Sequence, residues 1–158
     1  MATDCIAQVT FEFQGLRPPV VARFDQAHAS SDGGAVLLKA LDDRLGLTRR
    51  LAASLTDRRQ SGKVQHALVE LVQQRVFGIA CGYADCNDSA RLVEDPIHKL
   101  LLERDGLSGP ALASQPTLSR FENAVGRHEL YLASVALADL VIEHHRTRLR
   151  GRARRHGR

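Results

Sequence analysis

Cysteine and aromatic residues are scarce in this sequence of 158 residues. Tryptophan is missing, aromatic residues make up 4% of the chain, and the three cysteines are Cys5, Cys81 and Cys86. An odd number of cysteines without framework spacing argues against a disulfide scaffold and favours reduced thiols in a cytoplasmic protein. A core with so few aromatic side chains must be built mainly from Leu, Val, Ile and Ala, which favours helices.

Long apolar runs and metal-site spacings are also lacking. No stretch approaches the roughly 20 apolar residues that a membrane span needs, and the N-terminus lacks the pattern of a signal peptide. We therefore expect no membrane partner. Cys81 and Cys86 are separated by four residues, with no second Cys or His pair at zinc-site spacing. The sequence therefore predicts neither a metal site nor a cofactor in this chain.

The net charge of +4 is distributed unevenly. Residues 146–158 contain seven Arg and no acidic residue, whereas residues 1–145 contain 15 Lys and Arg against 18 Asp and Glu. Such a basic block adds affinity for nucleic acid without sequence preference, because it releases counterions. The same repetitive composition is also what an out-of-frame end of a GC-rich gene would encode. We expect this Arg-rich tail to be disordered.

The hydrophobic pattern predicts a mainly α fold with a short β element. β-forming residues at 6–13 and 20–24 predict an N-terminal β-hairpin or extended arm within residues 1–27. Helical periodicity and capping residues predict a multi-helix domain of the DNA-binding type over residues 28–145, with five to seven helices. The helical segments lie at about 34–45, 48–54, 64–80, 87–94, 96–104, 115–124 and 128–145.

The first helix follows the turn Ser30–Gly34. Ser30, Ser31 and Asp32 are candidate capping residues. The apolar positions of the helix are Val36, Leu37, Leu41 and Leu45. A glycine-rich turn at a helix N-terminus can also bind a phosphate. This turn lacks the spacing and the lysine of a P-loop, however, and therefore a capped turn is the better interpretation.

A basic cluster follows the first helix. Between Arg44 and Arg75 there are seven basic residues and two acidic ones, a local charge of +5. Arginines bind phosphates through two parallel hydrogen bonds, and a row of them can position a protein on a duplex. The alternative is an ordinary solvated surface. The candidate DNA contacts in this cluster are Arg44, Arg49, Arg50, Arg58, Arg59 and Lys63.

The short helix at 115–124 carries a second set of candidate DNA contacts. Its side chains suit base edges and phosphates, and its position after a loop is compatible with a recognition helix. The composition is also that of any surface helix. The candidates are Thr117, Ser119, Arg120 and Asn123.

Carboxylates are numerous, but many stand at predicted helix starts, where capping explains them. A two-metal site for phosphoryl transfer needs carboxylates that converge from strands, and no strand-rich domain is predicted. The sequence therefore predicts no catalytic residue in this chain.

Six segments, taken in order, resemble the N-terminal region of bacterial insertion-sequence transposases of the DDE type, in the element-1380 group. No single segment is decisive, and the series makes the resemblance specific. The segments are VVARFD at 20–25, SSDGGAVLL at 30–38, LTRRLAASLTDRR at 47–59, QRVFGIACGYADCND at 74–88, DPIHKLLL at 95–102 and SQPTLSRFENAV at 114–125.

The resemblance implies DNA transposition, with recognition of the terminal inverted repeats of a mobile element. In this family an RNase H-like core supplies three acidic residues that hold divalent metal, such as Mg²⁺. The strand that begins this core is missing here. We therefore expect a chain truncated before its catalytic core, which binds duplex DNA in the cytoplasm and is inactive alone.

Two other functions stay open at this point. The chain could be a regulator or inhibitor of transposition, which competes for DNA ends or forms oligomers with itself or with full-length transposase. It could also be an interaction protein that binds no nucleic acid, because residues 1–145 carry a net charge of −3.

Overall fold

The N-terminal β element is a two-stranded antiparallel pair. The structure, a computed structural model, describes residues 9–11, 20–22 and 29–156. Strand β1 (Val9–Phe11) pairs with strand β2 (Val20–Ala22), and Val9 lies opposite Ala22. The rest of the predicted arm, including residues 12–19 between the strands, lies outside the described residues. The hairpin as a whole therefore stays a prediction.

The chain is mainly helical, as predicted. The described residues form seven α-helices, with short 3₁₀ turns at Ser61–Lys63 and Cys86–Asp88. The helices are α1 (Ala35–Leu45), α2 (Leu47–Ala53), α3 (Leu68–Ala80), α4 (Ser89–Leu92), α5 (Pro96–Leu101), α6 (Gln115–Ala124) and α7 (Arg127–His156).

A tight corner joins α1 to α2. Gly46 adopts a left-handed conformation with φ of 68°, which glycine reaches without a steric penalty, and its N–H donates to the carbonyl of Asp42. The carboxylate of Asp42 accepts hydrogen bonds from both the N–H and the hydroxyl of Thr48, at 2.9 and 2.5 Å. Asp42 and Thr48 are both buried, and therefore their pairing sets the angle between the helices.

Helix α1 buries only part of the face that its apolar pattern predicts. Val36 is buried, but Leu37 and Leu41 are 60% and 48% exposed. Lys39, in contrast, is 1% exposed. The ammonium of Lys39 contacts the carboxylates of Asp43 and Glu103, at 2.5 and 3.1 Å. A buried charge is tolerable when it is paired and hydrogen-bonded, and here the two carboxylates compensate it.

Helix α3 packs against α2, α5 and α6 and lies at the centre of the fold. Its buried Phe77 packs with Ala35, Leu101, Leu102 and Leu112. Its buried Leu71 packs with Ala113 and Leu118. Small and branched side chains therefore dominate the core, as the scarcity of aromatic residues predicts.

Helix α3 begins at Leu68, four residues after the predicted start at Val64. Val64 is extended after its 3₁₀ turn. The carboxylate of Glu70 accepts the backbone N–H of Ala67 at 2.9 Å, which satisfies a free donor at the helix start. This local capping contact defines the beginning of the helix, and apolar periodicity alone does not report it.

Helix α7 extends to His156, eleven residues beyond the predicted end at His145. Residues 146–156, for which the sequence predicts disorder, are helical in the structure. Arginine is a good helix former and no proline interrupts the segment, so the helix can continue with little apolar content. The division of the chain into an arm, a helical domain and a tail stays a prediction.

Most of the apolar residues of α7 face solvent. Leu140 is buried, but eight large apolar residues of this helix are at least 38% exposed. They are Leu130, Tyr131, Leu132, Val135, Leu137, Val141, Ile142 and Leu149. So many exposed large apolar residues on one helix favour association with a protein partner or a second copy.

Replacement of Asp42 by Ala tests the α1–α2 corner. The change leaves the buried hydroxyl and N–H of Thr48 without their acceptor, and we expect the free energy of unfolding to fall by about 1–3 kcal/mol. Urea denaturation measures the loss. Arg44→Ala, an exposed change in the same helix, is the control and should change stability by about 0.5 kcal/mol or less. Equal losses in both variants would contradict the assigned role of Asp42.

Replacement of exposed apolar residues tests the surface of α7. We expect the full chain to self-associate as its concentration rises, because this surface is apolar. The double variant Leu137→Lys/Val141→Lys should remain monomeric over the same range, as measured by sedimentation velocity. A wild-type chain that stays monomeric throughout would contradict this prediction.

Candidate nucleic-acid interface

A groove of about 570 Å³ lies between residues 55–66, the start of α3 and helix α6. Its apolar lining comprises Leu55, Leu68, Leu71, Phe121, Ala124 and Val125. Its basic and hydroxyl-bearing lining comprises Thr56, Arg58, Arg59, Lys63, Thr117 and Arg120. The groove therefore combines an apolar surface with several cationic side chains.

Contacts with α3 position helix α6. The side-chain amide of Gln74 donates to the carbonyl of Ala113 at 2.9 Å, and its oxygen accepts the N–H of Ala113 at 3.0 Å. One turn into α6, Leu118 is fully buried. The guanidinium of Arg75 pairs with Glu122 and also donates to the carbonyl of Ala84. These contacts hold the wall that presents Thr117 and Arg120.

The opposite wall is held by an ion pair. Nε and Nη2 of Arg59 donate to the two carboxylate oxygens of Asp57 at 2.7 and 2.6 Å, and Nη1 donates to the carbonyl of His66 at 3.0 Å. The hydrogen bonds from Arg59 hold the pKa of Asp57 below its usual value. Arg59 is therefore engaged in shaping the loop, and less of its hydrogen-bonding capacity is available to a ligand.

Three other cations of the groove are exposed: Arg58, Lys63 and Arg120. The side chain of Arg58 is 74% exposed and lies 3.9 Å from Glu129, which is a loose contact. Nε of Arg120 donates to the carbonyl of Pro116 at 3.1 Å, a contact that does not neutralise its charge. These guanidinium and ammonium groups can therefore bind an anion such as a phosphate by donating hydrogen bonds to it.

Glu129 is an acidic residue of the groove with a structural role. Its carboxylate accepts the backbone N–H of Gly126 at 2.7 Å and that of Thr56 at 3.0 Å. These two hydrogen bonds hold the pKa of Glu129 below its usual value. The residue thereby joins the start of α7 to the loop that carries Arg58.

The structure brings together five of the ten predicted DNA contacts. Arg58, Arg59 and Lys63 from the first set lie in one groove with Thr117 and Arg120 from the second. The other five are not among the residues that line it. They are Arg44, Arg49, Arg50, Ser119 and Asn123.

Two of the remaining five have partners that explain their positions. A guanidinium nitrogen of Arg50 lies 2.8 Å from the carboxylate of Glu143, which ties α2 to α7. The amide of Asn123 donates to the carbonyl of Ser119 at 2.9 Å, within α6. A charge count along the chain includes Arg50, because it cannot separate paired cations from free ones. The same count cannot detect the apolar residues of the groove.

A second cluster of chemically active side chains lies outside the groove. Within residues 29–149, Asp32, Cys81 and His98 form the only group of three potential metal-ligand side chains. One ligand atom from each lies within 4.8 Å of the other two. Sequence reasoning missed this cluster because its members are far apart along the chain and match no zinc-site spacing.

Comparison with known protein families gives one match. The family model described as Transposase DDE domain group 1 matches residues 13–151 of the chain. The match includes helices α1 to α6 and therefore both walls of the groove. No curated protein and no solved structure matches the chain. None of the helices in the described part of the chain is long and apolar enough to cross a membrane.

The pH dependence of stability tests the environment of His66, which lines the groove. Burial and the nearby charge of Arg104 lower the pKa of His66 below its ordinary value of 6.5, with Glu70 opposing and Arg59 adding to the shift. The unfolded chain then binds the proton more tightly than the folded chain. The contribution of His66 to the free energy of unfolding is therefore fully present above pH 6.5 and is lost as the pH falls towards its folded pKa.

Urea denaturation at a series of pH values on both sides of 6.5 measures this contribution. His66→Gln, which keeps a neutral side chain, should reduce the loss of stability at acidic pH. His128→Gln, an exposed change in α7, is the control. The environment assigned to His66 is wrong if both variants lose stability with the same pH dependence as the wild-type chain.

Proposed function

Because the chain belongs to the family of DDE-domain transposases of group 1, its function is related to DNA transposition, and we propose that it binds the terminal inverted repeats of a mobile element. The helical domain over residues 28–145 is the binding module in this proposal, and the groove is its contact surface. The observation that carries the proposal is the convergence of two separately predicted sets of DNA contacts in one groove.

The charge distribution within the groove supports phosphate binding. Arg58, Lys63 and Arg120 are exposed, whereas Arg59 is held by Asp57. Exposed cations on both walls would contact successive phosphates of a backbone that passes between them. The net negative charge of residues 1–145 is no obstacle, because a local array of cations can bind DNA where the overall charge is low.

The polar residues of α6 support a contribution to sequence choice. Thr117 and Arg120 lie one turn apart on the same face, and both line the groove. Arginine pairs with guanine through two hydrogen bonds, and threonine can contact a base edge or the methyl group of thymine. A helix of ten residues is about 15 Å long, which suits an approach to the major groove.

The cluster of Asp32, Cys81 and His98 does not fit the Mg²⁺ chemistry that is typical of this family. Mg²⁺ prefers oxygen ligands in octahedral geometry, and usually one or two carboxylates. Among residues 29–149, the cluster of three potential ligands offers one carboxylate with a thiol and an imidazole, a donor set that does not fit Mg²⁺. The role that we propose for the described residues is therefore DNA binding, without strand cleavage or joining.

A second candidate function is regulation of transposition through oligomers with itself or with full-length transposase. The exposed apolar residues of α7 favour this candidate, because a protein partner would cover them. The two functions are compatible, since none of the exposed apolar residues of α7 lines the groove.

Fluorescence anisotropy with a duplex that carries the terminal repeat tests the proposed function. We expect Arg58→Ala/Lys63→Ala to weaken binding and to reduce the slope of log K against log salt by about 0.9 for each lost phosphate contact. Arg120→Ala should also reduce the preference for the repeat over a scrambled duplex, since it removes a candidate base contact.

The matched control is Arg44→Ala/Arg49→Ala, which removes the same charge from exposed positions outside the groove lining. It should leave both affinity and salt dependence nearly unchanged. If the two double variants weaken binding equally, the groove is not the interface and the affinity reflects overall charge. If the wild-type chain prefers neither duplex as the salt concentration rises, specific recognition of the repeat is refuted.

A further inference from the structure

The fold brings Asp32, Cys81 and His98 together where α1, α3 and α5 meet. Asp32 lies in the turn before α1, Cys81 follows the last residue of α3, and His98 lies within α5. The side chain of His98 is fully buried, that of Asp32 is 12% exposed, and Cys81 is half-buried. The cluster is therefore a largely enclosed site at the junction of α1, α3 and α5.

The hydrogen bonds of the cluster are incomplete. Nε2 of His98 lies 3.0 Å from a carboxylate oxygen of Asp32. The other ring nitrogen, Nδ1, is buried and has no hydrogen-bond partner among the described residues. Buried polar atoms normally have partners, and therefore His98 is not fully satisfied by its contact with Asp32.

Asp32 is also not used as its position in the sequence would suggest. It precedes α1 among good capping residues, yet the N-terminus of α1 has no side-chain capping bond. Its carboxylate contacts His98 instead, 66 residues away along the chain. The fold therefore directs a carboxylate towards the thiol and the imidazole rather than towards a helix terminus.

The cluster is separate from the groove, because none of Asp32, Cys81 and His98 lines the groove.

We propose that Asp32, Cys81 and His98 bind one Zn²⁺ ion. A carboxylate oxygen, a thiolate sulfur and an imidazole nitrogen are the ligand types that Zn²⁺ takes in proteins, and three protein ligands leave the fourth tetrahedral position for water. On binding, the Cys81 thiol loses its proton to solvent as the zinc–sulfur bond forms. The ion links the start of α1, the end of α3 and α5, and this inference does not depend on the proposed DNA binding.

Cobalt substitution tests the site in the full chain. After treatment with a chelator, Co²⁺ is added and the absorption spectrum is recorded, because a cobalt–thiolate bond gives a charge-transfer band in the near ultraviolet. We expect this band in the wild-type chain at one equivalent of metal, and we expect Zn²⁺ to displace it. Zn²⁺ should also raise the Tm of the wild-type chain, since it binds only the folded state.

Cys81→Ser should remove the band and the rise in Tm, whereas Cys86→Ser and Cys5→Ser are the matched thiol controls and should keep both. The Tm of metal-free Cys81→Ser shows whether this variant folds. His98→Asn should weaken Zn²⁺ binding, which isothermal titration calorimetry measures. A wild-type chain without the band, or a band that survives in Cys81→Ser, would overturn the proposal and leave Asp32 and His98 as a buried hydrogen-bonded pair.

Discussion

The attachment of α6 to α3 is the constraint on which the groove depends. Gln74 uses both its donor and its acceptor on the backbone of Ala113, so that a buried amide and a buried peptide satisfy each other. Leu118 packs against Leu71 directly beyond this clamp. If α6 were held only by apolar contacts, it could shift along α3, and the wall with Thr117 and Arg120 would no longer face the loop with Arg58.

Ion pairing divides the basic residues into two groups with different roles. Arg59 and Arg75 each bind a carboxylate and a backbone carbonyl, and in this way they shape the loop and the helix junction. Such cations are already compensated, and DNA would have to compete with their partners. Arg58 has only a loose contact with a carboxylate at 3.9 Å, so a phosphate can approach it at little cost. The position of the acidic residues therefore selects which cations are available for the proposed contact with DNA.

Capping and helix-breaking residues in the sequence predict the helices better than they predict the groove or the candidate metal site. The bounds of α6 agree with the sequence because Pro116 stands in its first turn and Gly126 follows its end. The groove depends on contacts between residues far apart in the chain, such as those of Gln74 with Ala113. The candidate metal site likewise depends on the contact of Asp32 with His98. Neither contact leaves a periodic pattern. Asp32 was expected to cap a helix, and only the tertiary fold reveals that it faces an imidazole.

Helix α3 contributes to both candidate sites, the groove at its first turn and the cluster of Asp32, Cys81 and His98 at its end. Leu68 and Leu71 of its first turn line the groove, whereas Cys81 follows its last residue. Its 13 residues correspond to a length of about 20 Å, so a bound cation at one end would have little direct electrostatic effect on phosphates at the other. A metal that links α1, α3 and α5 would act on the groove through the rigidity of α3. If both proposals hold, loss of the metal should affect the stability of the helical segments more than the salt dependence of the proposed DNA binding.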